Sequence, residues 1–263
     1  MRVRSVAAII LGAGQGSRLR EMAPPYSKTI LTICDLPIIG YAVQAVEAYV
    51  DRIVLVAHPS TAEVVYEAMV ASLRCETLET RVVVQNEPLG MADAMRIGFS
   101  ALEGDQTAVV MAGDNIVLDD CNVRNVLALV DDQSSSASPC RLAWTHRELP
   151  PEEARRFSVY QDLGEGKGQL LEKPQEPPSK ICWCGPVAFR SSQEALRRMK
   201  NLKPSSRGEY EATDLMNTYN MIGEAKHVEL EGQWFDIGTP KAFEEAQAII
   251  GAEKRPKTGK MVV

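Results

Sequence analysis

Along the first half of the chain, short apolar runs alternate with segments whose apolar residues recur every three or four positions. Val6–Leu11 reads as a buried strand and Ile38–Val50 as an amphipathic helix. The same rhythm predicts strands at Ile53–Ala57, Arg81–Gln85 and Ala108–Ala112, and helices at Ala62–Leu73, Met91–Leu102 and Val123–Val130. Strands alternating with helices of this length imply βαβ units and a mainly parallel sheet. Near-continuous apolar runs such as Thr107–Ala112 are what strands covered on both faces look like.

After Asp131 the rhythm changes. Residues 131–139 form a polar stretch rich in serine, expected to be a surface loop. Strand-like pieces follow at Leu142–Thr145, Ser158–Gln161, Gln169–Leu171 and Trp183–Phe189, separated by glycine- and proline-rich turns. Helices resume at Gln193–Lys200, Thr213–Ile222 and Pro240–Ile250, and the polar, basic tail from Lys254 onward is expected to fray. The pattern predicts one α/β domain that carries an inserted or appended β-rich lobe, with no internal repeat.

Composition narrows the function classes. Of 263 residues, 45% are hydrophobic and 24% charged, which excludes a disordered or fibrous chain. Twenty-nine basic against 35 acidic residues leave a formal charge of −6, a poor balance for gripping nucleic acid. No run approaches the roughly 18 apolar residues of a membrane-spanning helix. Two arginines precede the Val6–Leu11 run as in a secretory signal, but that run falls short of the ~7–15 residues of a signal core. The six cysteines are scattered with a single C-x-C, so neither a zinc site nor a disulfide framework is expected. Reduced thiols and a cytoplasmic location follow from that reading.

Candidate chemistry begins at Leu11-Gly12-Ala13-Gly14-Gln15-Gly16-Ser17-Arg18, directly after the first strand. An open α/β sheet places its ligand crevice there, and glycines let backbone N–H groups approach an anion closely. Leu19 stands where a dinucleotide fingerprint needs its third glycine, and the G-K-[ST] ending of a P-loop is missing. By itself the turn is as readily a bland loop as a phosphate cradle. Arg18 and Lys28 sharpen it, because two cations flanking an anion-ready loop suggest a triphosphate clamp. Asp114 ends the Met111-Ala112-Gly113-Asp114-Asn115 run, where a turn cap competes with a Mg²⁺ ligand. Asp236, in Trp234-Phe235-Asp236-Ile237-Gly238-Thr239, supplies a second carboxylate, and Mg²⁺ takes one or two carboxylates plus substrate phosphates. Glu172-Lys173-Pro174 and the 203–214 stretch offer Lys173 and Arg207 for a second phosphate, and Glu172 and Glu209 for hydroxyls, which suits a sugar. The competing reading of 203–214 is an exposed loop that caps a helix through Thr213.

Taken in order, LGAGQGSRL, YSKTILTICDLPIIGY, QNEPLGMADAM, MAGDN, LEKP, LKPSSRGEYEATD and WFDIGT resemble the sugar-1-phosphate nucleotidyltransferases, most closely the glucose-1-phosphate thymidylyltransferases. The resemblance runs from about Val6 to Ile250. It implies a Rossmann-like nucleotidyltransferase fold, a mainly parallel central sheet with a smaller β-rich sugar-binding lobe. It implies a single nucleotidyltransferase domain over 1–250, nucleotide-binding over about 1–131 and sugar-phosphate-binding over about 132–250, with a polar tail at 251–263. The reaction implied joins an NTP to a sugar 1-phosphate, giving a nucleoside diphosphate sugar and pyrophosphate. By the same likeness, Leu11, Gly12, Ala13, Gly14, Gly16 and Ser17 would cradle the nucleotide, with Arg18 and Lys28 as the catalytic cations. Gln85 and Gly90 would read the base, dTTP favoured and UTP next. Asp114 and Asp236 would hold Mg²⁺. Lys173 and Arg207 would grip the sugar phosphate, with Ser158, Glu172 and Glu209 beside the sugar. Ser158 stands where relatives carry a glycine, and Leu36-Pro37 replaces their Lys-Pro.

Such a reaction asks mainly for positioning and charge neutralisation, so the three histidines need no part in it. Three other readings compete: a nicotinamide-dependent dehydrogenase, a uridylyltransferase for a non-glucose sugar, and a non-catalytic nucleotide-sugar-binding homologue. The expected partners are an NTP and a sugar 1-phosphate, without nucleic acid or membrane; a homo-oligomer stays open.

Overall fold

The computed structural model describes residues 4–14, 19, 27–132 and 139–254. In chain order it runs β1 (Val6–Gly12), a single 3₁₀ turn at Lys28–Ile30, β2 (Thr32–Ile33), β3 (Leu36–Pro37), α1 (Ile38–Val46), β4 (Arg52–Ala57) and α2 (Ala62–Ala71). There follow β5 (Glu79–Val84), α3 (Met91–Ser100), β6 (Thr107–Ala112), β7 (Asn115–Val117), α4 (Cys121–Asp131), β8 (Leu142–Glu148) and α5 (Pro151–Ala154). The remainder is β9 (Ser158–Gly164), β10 (Lys167–Glu172), β11 (Ile181–Phe189), α6 (Ser192–Met199), α7 (Ala212–Asn220), β12 (Ala225–Glu229), β13 (Trp234–Asp236) and α8 (Pro240–Lys254).

The four apolar strands of the first half pair in parallel, in the order β6-β1-β4-β5. The side chains of β1, β4 and β6 are buried on both faces because helices cover both, while the edge strand β5 stays partly exposed. Ile10, Leu55 and Met111 pack toward α1, α2 and α4, while Ile9, Val56 and Val110 pack toward α3, α6 and α7. The alternation along one strand thus splits between two cores, which is why the run shows no polar positions.

The β-rich half continues this sheet. β11 lies antiparallel to β6 through Val187–Phe189, and β9, β10, β8 and β12 extend from it to complete nine strands. The pairing of β11 with β8 shifts register between Trp183 and Val187. Gly185 sits in that bulge at φ 72°, where a Cβ would lie 2.8 Å from Leu230 and 2.9 Å from Thr145. A bulge at this point re-aims the strand where it passes from β9 to β6.

Two short ribbons stand apart from the large sheet. β7 and β13 pair antiparallel, as do β2 and β3. A third apolar cluster, including Ile33, Ile38, Ile116, Ile237 and Ile250, ties both ribbons to α8. Helix α7 differs from expectation at its start. Glu211, not Thr213, occupies the cap position, no side chain caps it, and Thr213 is buried. No described helix is long and apolar enough to cross a membrane.

A two-chambered candidate active site

The crevice opens along the carboxyl ends of β1 and β6, where an open α/β sheet leaves backbone and side chains free to meet a ligand. Leu11 and Ala112 are partners in the β1–β6 ladder, and the chain turns out of the sheet at Gly113. A Cβ on Gly113 would lie 3.0 Å from the carbonyl of Leu11, so this turn is packed close against β1. Asp114 follows, and Lys28 is its ion-pair partner. Ser27 sets up that lysine by accepting the N–H of Thr29 at the start of the 3₁₀ turn. The pair is shielded, with side-chain exposures of 12% for Lys28 and 25% for Asp114.

Two cavities meet at this point and share Leu11, Met91, Ala112 and Asp114 as a common wall. The first continues past Ala13, Gly14 and Lys28 to Gln85 and Gly90. Gln85 follows β5 and is buried. Its Nε2 donates to the Gly90 carbonyl at 3.1 Å and to Asp93 Oδ2 at 3.0 Å. Arg96 in turn donates to Asp93 Oδ1 at 2.6 and 3.1 Å. Gly90 precedes α3 at φ 103°, a left-handed conformation that favours glycine, and a Cβ there would lie 2.6 Å from the Tyr210 carbonyl. Backbone bonds from Tyr210 to Leu89 (2.7 Å) and from Ala92 to Tyr210 (3.0 Å) zip the two loops together.

The second cavity is walled by both β9–β10 and β11. Ser158 and Glu172 are cross-strand partners, and the Ser158 hydroxyl donates to Glu172 at 2.7 Å. Lys173 Nζ lies 3.1 Å from the other oxygen of the same carboxylate, and Arg207 reaches it at 3.4 Å. Lys173 adopts a left-handed backbone (φ 46°), which costs a non-glycine residue about 1–2 kcal/mol. Its N–H bonds to the Phe157 carbonyl at 3.1 Å, carrying the β9–β10 ladder one step beyond Glu172 and Ser158. Arg207 also pairs with Glu211 at 2.9 Å. Burial, reinforced by the neighbouring Glu211 and Glu172 charges, pushes the Asp214 carboxyl above its ordinary range.

The short β7–β13 ribbon completes the site. Asp236 is registered opposite Asn115, and the Ile237 N–H donates to the Asp114 carbonyl at 3.0 Å. Asn115 donates to the Asp114 carboxylate at 3.1 Å and accepts the Trp234 indole N–H at 2.9 Å. Both aspartates line the second cavity. They provide hard oxygen donors, one in the turn before β7 and one at the end of β13, a set that fits a Mg²⁺ completed by substrate oxygens.

The structure therefore places Leu11, Ala13, Gly14, Lys28, Gln85, Gly90 and Asp114 on the first cavity, and Ser158, Glu172, Lys173, Asp114 and Asp236 on the second. Glu209 lines the first cavity, on the side opposite to the one its expected sugar contact would use. Gly12 ends β1 and packs against Leu55. Gly16, Ser17 and Arg18 lie outside the described residues. Several lining residues had no role assigned from the sequence, Glu211 and Trp183 among them. Glu211 was hidden in a run of charges, although its spacing of four from Arg207 fits the pair they form. Trp183 lines the second cavity, and its buried indole N–H finds no acceptor among the described residues.

Known proteins are similar to this chain in sequence and in fold. A low-salt glycan biosynthesis nucleotidyltransferase, Agl11 of Haloferax volcanii, is 30% identical over 95% of this chain and 67% of its own. A glucose-1-phosphate thymidylyltransferase of Neisseria gonorrhoeae is 27% identical over 92% of this chain and 81% of its own. A crystal structure from Bacillus anthracis, assigned as a glucose-1-phosphate thymidylyltransferase and holding a sucrose, superposes with a TM-score of 0.79 at 27% identity, covering 93% of this chain and 95% of the other. A UDP-glucose pyrophosphorylase with bound UDP-glucose has the same fold, with a TM-score of 0.79 at 20% identity and coverage of 95% and 100%. Residues 7–253 match the nucleotidyl transferase family model, and the chain belongs to that family, the one that holds the sugar-1-phosphate nucleotidyltransferases it resembles.

Proposed function

We propose that this enzyme transfers a nucleotidyl group from dTTP, with UTP the next choice, to a sugar 1-phosphate, releasing pyrophosphate. The observation that carries the reading is the pair of cavities sharing Asp114, one ending at Gln85 and Gly90, the other at Glu172 and Lys173. Two anionic substrates could be seated in them so that their phosphates meet beside Lys28 and Asp114.

In this reading a phosphate oxygen of the sugar phosphate attacks the α-phosphorus in line. A new P–O bond forms as the bond to the β-phosphate oxygen breaks, and pyrophosphate leaves with that electron pair. A phosphate monoester is already a nucleophile at neutral pH, so no general base is required. Lys28 neutralises charge where the phosphates meet, and Arg18 does so for the departing pyrophosphate. The Gln85 oxygen accepts the imide N–H of thymine or uracil, and Lys173 and Arg207 hold the sugar phosphate. Glu172 and Ser158 accept from sugar hydroxyls. Asp114 and Asp236 would hold a Mg²⁺, which supplies charge neutralisation at the reacting phosphates. Alignment of the two substrates can contribute about 7–11 kcal/mol of barrier reduction. The division of labour largely follows the chain, with residues 1–131 serving the nucleotide and 132–250 the sugar phosphate, apart from Glu209 on the nucleotide side and the wall that Leu11, Met91 and Asp114 lend to both cavities. Six cysteines without disulfides suit a cytoplasmic setting for this chemistry.

The test is pyrophosphate release across dTTP, UTP, GTP, CTP and ATP against a set of sugar 1-phosphates with Mg²⁺. Release with dTTP or UTP supports the reading. Silence with every pair overturns it in favour of a nucleotide-sugar-binding protein.

A further inference from the structure

Gln85 faces the first cavity with an amide whose two ends are chemically opposite, since its nitrogen only donates and its oxygen only accepts. Which end meets a base decides what the base must offer. Here both amide hydrogens are already spent, one on the Gly90 carbonyl and one on Asp93. Asp93 is a buried carboxylate in the first turn of α3, 6% exposed, and a carboxylate can only accept. It cannot turn to receive the amide oxygen instead. Arg96, three residues on, holds the far oxygen of Asp93 with two nitrogens. The Gln85 oxygen accepts no hydrogen bond among the described residues.

We propose that Asp93, held by Arg96, is a positioning residue that locks the Gln85 amide with its oxygen toward the nucleotide. The lock makes Gln85 a fixed acceptor and so selects a pyrimidine with an N–H at ring position 3 over one with a lone pair there. This inference rests on the proposed nucleotidyl transfer, and on Gln85 addressing that ring position. It adds the reason for the base preference. Asp93 touches no substrate. Flipping the amide would set its oxygen against both the Gly90 carbonyl and the Asp93 carboxylate, so rejection of cytosine is built in before any nucleotide arrives. A site organised to pair one polar group of the substrate rejects an analogue that leaves that group unpaired far more strongly than apolar contacts can.

The test compares kcat and KM for dTTP, UTP and CTP in the wild type, Asp93→Asn and Arg96→Gln. The wild type is expected to prefer UTP over CTP by roughly 100-fold or more in kcat/KM. In Asp93→Asn, Arg96 draws the new amide oxygen and the new NH₂ confronts Gln85, so the lock opens. The UTP-to-CTP ratio is expected to fall roughly 10-fold or more, through a raised KM for UTP rather than through kcat. A residue that only supported the fold would lower activity with all three nucleotides alike and leave the ratio in place. Arg96 is half exposed, so Arg96→Gln reads the same ratio, with a smaller fall, should Asp93→Asn fail to fold. An unchanged ratio in folded variants overturns the lock while leaving the transfer reaction standing. A wild type that prefers CTP overturns it as well. A wild type silent with every nucleotide sinks the transfer reading, and calorimetric binding of UTP against CTP then decides the lock by the same ratio.

Discussion

Asp236 lies opposite Asn115 in a two-stranded ribbon, so a carboxylate from near the end of the chain stands one register step from Asp114. The ribbon is only three residues long on each side, and Ile116 and Ile237 anchor it in a buried cluster beneath α8. The backbone bond from Ile237 to the Asp114 carbonyl fixes the spacing further. The two carboxylates are thus held by a turn and a short ribbon bonded to each other and anchored in that cluster.

Asp114→Asn and Asp236→Asn should each reduce turnover by roughly 100-fold or more while leaving thermal unfolding near that of the wild type. The amide keeps the shape but loses the charge that a divalent cation needs. Calorimetric titration with Mn²⁺ in the presence of dTTP should show weakened metal binding in both variants. Unaltered turnover in either one would remove that residue from the metal site.

Lys173→Ala should raise KM for the sugar phosphate more than KM for the nucleotide. Lys173 lines only the second cavity, and Lys28 only the first. Removing an exposed cation from a phosphate contact typically costs about 1–3 kcal/mol of binding, a five- to hundredfold rise in KM. If the nucleotide KM rose instead, the assignment of the two cavities would be reversed.

The βαβ core was legible because its strands are buried on both faces and its helices long enough to show their period. Val6–Gly12 and Thr107–Ala112 read as uninterrupted apolar runs for that physical reason. The β7–β13 ribbon was not legible, since three-residue strands are too short to display a period of two. β12 escaped for another reason: Ala225–Glu229 is a half-buried edge strand whose charges, Lys226 and Glu229, stand three apart, so no period of two shows and it reads like a loop. The site divided similarly. Asp114, Gln85, Glu172 and Lys173 close strands or follow them directly, a place where sequence position implies the crevice. Glu211 is marked only by its spacing of four from Arg207, Asp93 reads as an ordinary helix residue until the loop folds Gln85 onto it, and Trp183 owes its place to the docking of β11, which no local pattern carries. The β-rich half reads as a lobe in sequence because nothing local states that β11 will dock on β6.

Gly90→Ala should damage the nucleotide side of the site through the backbone. The added methyl would approach Tyr210 at 2.6 and 2.8 Å, against main-chain atoms that cannot swing aside. A left-handed alanine and a displaced loop together should cost about 3 kcal/mol of stability. The displaced loop carries the acceptor for Gln85, so KM for dTTP should rise as well. A variant with wild-type melting temperature and KM would show that the loop has slack that the packing conceals.

His227 sets a pH dependence that does not involve the active site. Its ring stacks on Trp144 at 4.6 Å, lies 4.8 Å from Tyr160, and meets His146 through the two Nδ1 atoms at 3.1 Å. That contact needs one N–H and one lone pair, so both rings cannot be protonated there together. Burial, with the adjacent His146 adding to it, lowers His227 from 6.5 to about 4, against a weak opposing pull from Asp162. Burial lowers His146 also, in spite of Glu229 and Glu148 nearby. The unfolded chain therefore binds a proton near pH 6.5 that the folded chain refuses until about pH 4. Stability contributed by the neutral ring is fully present above pH 6.5 and is lost as the pH falls toward 4. Carboxylates titrate in the lower part of the same window, so the effect is isolated by difference. His227→Gln, which keeps a polar group and cannot take the proton, should show a shallower fall in melting temperature between pH 6.5 and 4.5 than the wild type. Equal slopes for the two proteins would mean that the His146–His227 pair opens to water before it charges.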